Sequence, residues 1–211
     1  MRSAQGGRTA AMLPTSTPIH AYAVLEGDVD HGKFAKFAQK QGLVQYHTNP
    51  IDGTNAYFED VWTTSDQRTA VHYVDAPRYE LRFLWVRGER LREILHEASK
   101  YLAFYDDEEL LEDAGQVVTL GEGMRAVYRV GVGFPAYHPG AYQVFAAYLQ
   151  HANPEMRRAA LKSIAYHIWP ELQPLLAQSA NTDSDADVRD YARTLLEGAR
   201  QRHGDRTPPE D

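Results

Sequence analysis

The segment Gly27-Asp28-Val29-Asp30-His31-Gly32-Lys33 sets a glycine, four residues and a Gly-Lys pair between a strand-like run, "HAYAVLE", and a helical pattern that begins at Phe34. A phosphate-binding loop has that order, because its backbone amides and lysine must converge on a nucleotide. The same half of the chain carries His20, His31, His47 and His72, with Asp28 and Asp30 close in sequence to two of them. Imidazoles and carboxylates are the nitrogen and oxygen ligands of zinc or iron sites. Two chemistries are therefore on offer, and the neighbouring residues decide between them and simpler readings.

The loop "GDVDHGK" resembles the "GHVDHGK" loop of translational GTPases, and "VDAPR" (74–78) resembles their "DxPG" element. That resemblance implies phosphate contact by Lys33 and a Mg²⁺-binding hydroxyl at the next position. Here that position is Phe34, Arg78 stands where close backbone approach needs glycine, and no "NKxD" base-reading motif follows. The half-chain is also too short for a six-stranded GTPase core. The segment reads instead as a strand-to-helix turn, with Asp28 or Asp30 as helix cap and Phe34 opening a buried stripe. None of the histidines shows the i, i+4 spacing of a His-Glu-x-x-His site, and hydrogen-bonded histidines at scattered positions are the reading taken. No catalytic, cofactor-binding or metal residue is assigned. A metal-dependent enzyme or small-ligand-binding protein using the His/Asp cluster stands as the alternative.

The elements that would position these residues are α+β in character. The run "IHAYAVLE" (19–26) alternates as a strand does, and "GKFAKFAQKQG" puts Phe34, Phe37 and Ala38 on one helical stripe. "LVQYH", "AYFEDVWTT", "TAVHYVDA" and "YELRFLWVRG" are further strands, the last with Tyr79, Leu81, Phe83 and Trp85 on one face. "ERLREILHEASKYLAF" and the acidic "DDEELLEDA" are helices. The order predicts a small mixed sheet with two or three helices on one face, over residues 18–113. From 114 to 201 strand alternation disappears and only helical patterns remain. Residues 1–17 are expected to be a disordered leader and 202–211 a disordered tail.

The helical half repeats itself at an offset of 32 residues. "NPEMRRAALKSI" (153–164) aligns with "DADVRDYARTLL" (185–196), matching Asn153 with Asp185, Arg157 with Arg189 and Ala160 with Ala192. Both segments resemble the second helices of HEAT repeats, an armadillo-like α-solenoid family with the pattern Asp-Pro-x-Val-Arg-x-x-Ala. "WPELQPLLAQSANTDSD", with Pro174 inside a leucine-rich helix, is similar to the first helix and turn of the last repeat. The resemblance implies that Asn153 and Asp185 are inter-helix turn residues, Arg157 and Arg189 stacked arginines, and Ala160 and Ala192 close-contact positions. It covers residues 140–200; at 118–132 the match is poor, and the following "GVGFPAYHPG" departs from the pattern. The order of the whole chain resembles a group of uncharacterised bacterial HEAT-repeat domain-containing proteins, a likeness that brings no activity with it. A helix pair cannot bury its apolar stripe alone, so the α+β half is expected to cap the stack through a shared apolar interface.

Charge and composition narrow the function. The chain carries 22 Lys and Arg against 29 Asp and Glu, for a formal net charge of −7, and it contains no cysteine. Twelve Lys and Arg face eighteen Asp and Glu in 1–113, and ten face eleven in 114–211. Neither half is the basic surface that nucleic acid requires, so no nucleic-acid partner is expected. The lack of cysteine excludes disulfides and thiolate sites and fits a cytoplasmic protein; no stretch reaches the length of a membrane span. The expected function is a non-enzymatic protein-binding module or scaffold, in one version an immunity or antitoxin-like inhibitor of another protein. Its candidate contact residues are Arg158, Lys162 and Arg193, which fall off the apolar stripes, with Tyr166 and Trp169 of the aromatic turn "YHIWPEL". Exposed, those two rings would anchor a partner; buried, they would close the repeat, and burial is the better supported outcome.

Overall fold

A computed structural model of the chain describes residues 20–52, 56–117 and 119–204. The leader expected at 1–17 lies outside the described residues, as does most of the tail expected at 202–211. Five strands form one sheet: β1 (His20–Val24), β2 (Val44–Asn49), β3 (Phe58–Thr63), β4 (Thr69–Ala76) and β5 (Leu81–Gly88), in the order β1-β5-β4-β3-β2. The fold is α+β. The sheet is nevertheless not mixed, since all four ladders are antiparallel. Strands β2 to β5 follow one another as a meander, and β1 closes the sheet beside β5. Helix α1 (His31–Lys40) carries the chain from one edge to the other, so β1 and β2 run parallel without touching.

The period-2 side-chain pattern of a strand sends neighbours to opposite faces, and here both faces meet helices, one of them over only part of its extent. Ala21, Val71, Tyr73, Leu84 and Val86 pack against Phe34, Phe37 and Ala38 of α1 and against Leu91, Ile94 and Ala98 of α2 (Leu91–Ala98). Val24, Val74, Ala76, Leu81 and Phe83 point the other way and join a second cluster with the helical half. Helices on one face alone were the expectation. The second face also meets helices because the strands carry apolar residues on both parities, which a sheet with one wet face does not.

The helices beyond the sheet are α3 (Asp107–Gly115), α4 (Leu120–Gly133), α5 (Pro139–Leu149), α6 (Pro154–Ile164), α7 (Gln173–Thr182) and α8 (Ala186–Gly204). Capping boxes start α3, through Asp106 and Glu109, and α4, through Thr119 and Glu122. Pro174 sits in the first turn of α7, where a missing N–H costs nothing, so it starts that helix rather than interrupting one. Gly131 lets α4 and α6 meet closely: a Cβ there would lie 2.6 Å from the Ser163 carbonyl oxygen. One apolar cluster, containing Val127 and Val130 of α4, Phe145 of α5, Leu161 and Ile164 of α6, Leu176 of α7 and Val188 of α8, continues onto the sheet. Sheet and helices thus share an apolar interface, as stacking requires.

Candidate functional site

The phosphate-loop look-alike folds as a helix cap. Asp30 accepts a hydrogen bond from the Lys33 amide at 2.8 Å, and the Lys33 ammonium is spent on Asp28 at 2.6 Å. His31 is bonded at 2.8 Å to Asp60, a fully buried carboxylate that also accepts from Gln45, Thr48 and the Trp62 indole. Burial alone would raise the Asp60 pKa; these four hydrogen bonds outweigh it and hold the carboxyl below its usual range. The remaining histidines go elsewhere. His47 pairs with Asn49, His72 with Glu59, and His20 lies against the Tyr22 ring. Among the described residues, no three His, Asp or Glu side chains converge as a metal site would need.

The opposite sheet face is only partly covered, because α4 lies over β1 and β5 at one side. Strand register builds what remains. Tyr22 stands opposite Trp85, and Trp85 opposite His72; in the next row Val24, Phe83, Val74 and Glu59 follow one another across four strands. Val74 and Ala76 are small beside the rings that flank them, so they form the floor of a recess of about 190 Å³. Tyr22, Phe83 and Trp85 make one wall and Glu59 another, with Tyr57 and Tyr166 at the rim. Tyr22 and Trp85 are near parallel with centroids 6.0 Å apart, and the His72 ring lies 4.2 Å from the Trp85 ring.

Glu59 is held from two sides. His72 Nδ1 lies 2.8 Å from one carboxylate oxygen, and Asn49 Nδ2 donates to the other at 2.8 Å. Burial pushes the His72 pKa down, against the opposing pull of Glu59, so the imidazole is neutral at neutral pH and leaves the carboxylate charge uncancelled. His72 Nε2 and the Trp85 indole N–H are buried without a hydrogen-bond partner among the described residues. A second recess, of about 290 Å³, adjoins this one. Tyr79, Tyr128, Lys162 and Ala165 line it, and Tyr166 is common to both. Partial burial, with the phenols of Tyr79, Tyr57 and Tyr22 nearby, pushes the Tyr166 pKa up to about 12. Together these groups offer aromatic faces, one anionic carboxylate and one lysine at the mouth of a cleft.

No family model, curated protein or solved structure matches this chain.

Of the residues singled out by sequence, Lys162, in the last turn of α6, and Tyr166, just past the helix end, lie at these recesses. Arg158 precedes Lys162 by one turn, but its guanidinium is engaged by Glu155, Asp185 and Asp187 and is only partly exposed. Its exposure is less than a position off the apolar stripe suggests, because the start of α8 brings its carboxylates alongside. Arg193 is exposed and paired with Asp190. Trp169 is buried, and its indole donates to the Phe134 carbonyl at 3.2 Å, so it closes the stack and offers no ring to a partner.

The repeat positions behave alike at their 32-residue offset. Arg157 donates to the His151 carbonyl and Arg189 to the Asp183 carbonyl, in each case six residues back. Asn153 and Asp185 each accept from an amide of the helix they precede, and Ala160 and Ala192 are both fully buried. Arg157 goes further, gripping both oxygens of Asp183 at 2.8 Å and so tying one helix pair to the next.

Sequence reasoning missed Glu59, Tyr57 and Tyr22 as site residues. A signal was present in "FEDVW": adjacent carboxylates on a strand must face opposite sides, so one of them had to lie away from the α1 layer.

Proposed function

We propose that the chain is a non-enzymatic interaction module whose C-terminal helices form a HEAT-like stack, and that a polypeptide partner docks along α6 where it borders the two recesses. The observation that carries this reading is the pair Lys162 and Tyr166. Lys162, in the last turn of α6, and Tyr166, just past its end, form the exposed rim of two adjoining aromatic hollows. Rings at the centre of a contact and a charge at its edge are the arrangement from which interface hot spots are built. An immunity or antitoxin-like inhibitor is one form such a module takes, an analogy with small helical-repeat proteins.

The test is affinity capture from the source cell with the wild-type chain and with the double variant Lys162→Glu, Tyr166→Ala. A stoichiometric protein held by the wild type and lost by the variant supports the site. Equal retention by both would move the contact elsewhere, and repeated empty captures would remove the polypeptide partner altogether.

A further inference from the structure

We infer that the recess beneath Tyr57 and Tyr166 is a seat for an organic cation, the ammonium or guanidinium end of a lysine or arginine side chain supplied by the docked polypeptide. This rests on the docking reading above and names the group that the partner inserts.

Charge complementarity selects the occupant. The rings of Tyr22, Tyr57, Phe83, Trp85 and Tyr166 surround a space in which, among the described lining residues, Glu59 is the one carboxylate. Aromatic faces carry the negative side of the ring quadrupole, and the Glu59 carboxylate adds a field of the same sign. Its two contacts among the described residues, a neutral imidazole and an amide, donate hydrogen bonds without cancelling its charge. No lysine or arginine is paired with it among the described residues. An anion entering the recess would be repelled by the Glu59 carboxylate and by the negative faces of the rings. A neutral aliphatic group would gain burial but would strip water from a carboxylate and give no counter-charge in return. A cation is favoured by both the rings and the carboxylate, and the apolar floor of Val74 and Ala76 suits the methylene stem of a long basic side chain. One such contact is already made at the edge of the site, where the Arg87 guanidinium lies 5.5 Å from the centroid of the Trp85 ring.

The experiment is an NMR titration of the full chain with three capped pentapeptides, Gly-Gly-X-Gly-Gly, in which X is lysine, arginine or norleucine, and with n-butylammonium. The lysine or arginine peptide is expected to shift the signals of Trp85, Tyr57 and Tyr166 and to bind at least fivefold more tightly than the norleucine peptide. Glu59→Gln should erase that preference. Tyr57→Ala, a change at an exposed ring that the fold does not need, should weaken the cationic peptides by several fold. Equal binding of lysine and norleucine peptides would overturn the cation assignment while leaving the docking surface in place. Binding of n-butylammonium with none of the peptides would keep the cation seat and overturn the polypeptide reading. No shift with any of the four would overturn the cation seat.

Discussion

Glu59 and Asp60 are neighbours on β3, and the pleat turns them to opposite faces of the sheet. Asp60 faces α1, is fully buried, and accepts four hydrogen bonds from groups that the fold supplies. Glu59 faces a recess that the helical half leaves open, and among the described residues it accepts two. Same charge and adjacent positions lead to different roles, because the layers above them differ in extent. Helices α1 and α2 close one face, whereas α4 lies over β1 and β5 on the other. A carboxylate whose donors are complete serves the fold. One that forms a wall of an aromatic cleft, with no cation paired to it among the described residues, is available to a ligand.

The sharpest break in this contrast is Asp60→Ala. It leaves the Trp62 indole N–H buried with no acceptor and opens a void beside it, while Gln45, Thr48 and His31 can turn to water. The expected loss is ~3 kcal/mol of unfolding free energy, read from urea denaturation. Asp60→Asn should cost less, about 1–2 kcal/mol, because the new amide can point its N–H₂ at Gln45 and Thr48, which can both accept.

Acid should separate the two faces next. Burial, helped by nearby His20, pushes the His167 pKa down to about 4, and it pushes His72 down as well. Both flank the open face: the Tyr22 ring, a wall of the recess, lies 4.5 Å from that of His167. A histidine lowered in the folded state refuses a proton that the unfolded chain accepts near pH 6.5. Stability is therefore level above pH 6.5 and falls as pH drops from there towards 4, by on the order of 2–3 kcal/mol for His167. Asp60 responds later, since a lowered carboxyl gives up its contribution only as pH falls below the ordinary carboxylate range. Urea midpoints measured from pH 8 to 2 should show these two steps, and His167→Gln should flatten the upper one. A midpoint unchanged between pH 7 and 4.5 would place His167 in water.

Local patterning made much of the fold readable. Alternation in "HAYAVLE" and "YELRFLWVRG" marked strands, and the shared face of Leu81 and Phe83 is the one that meets the helices. The 32-residue offset was readable because the inter-helix turn imposes the same capping and the same arginine-to-carbonyl bond each time. The cleft was not readable. Its residues come from positions 22, 57, 59, 85 and 166, and only strand order and register bring them together. Nothing within "AYFED" says that Glu59 will stand in line with Val74 and Phe83. Histidines attracted attention as ligands for the same reason, since their types are visible in sequence and their separation in space is not. Helix spacing did find Lys162, which falls off the apolar stripe of α6, whereas Tyr166 was legible only as part of the aromatic turn "YHIWPEL" that follows the helix.

The smallest expected effect on stability carries the most information about function. Glu59→Gln keeps the side-chain volume and keeps an oxygen for His72 Nδ1. Its new N–H₂ faces Asn49, whose amide can turn to present its own oxygen. The expected cost is under about 1 kcal/mol, below that of Asp60→Asn one residue away. Removing the charge at Glu59 should leave the fold nearly untouched and abolish discrimination between a basic and a neutral side chain at the cleft. The same amide change at Asp60 should do the reverse, weakening the fold while cation preference stays at the wild-type ratio. Denaturation and peptide titration of this one pair of variants therefore decide whether the two faces of β3 are divided between structure and binding. If Glu59→Gln proves as destabilising as Asp60→Asn, both carboxylates serve the fold and the open face loses its distinction.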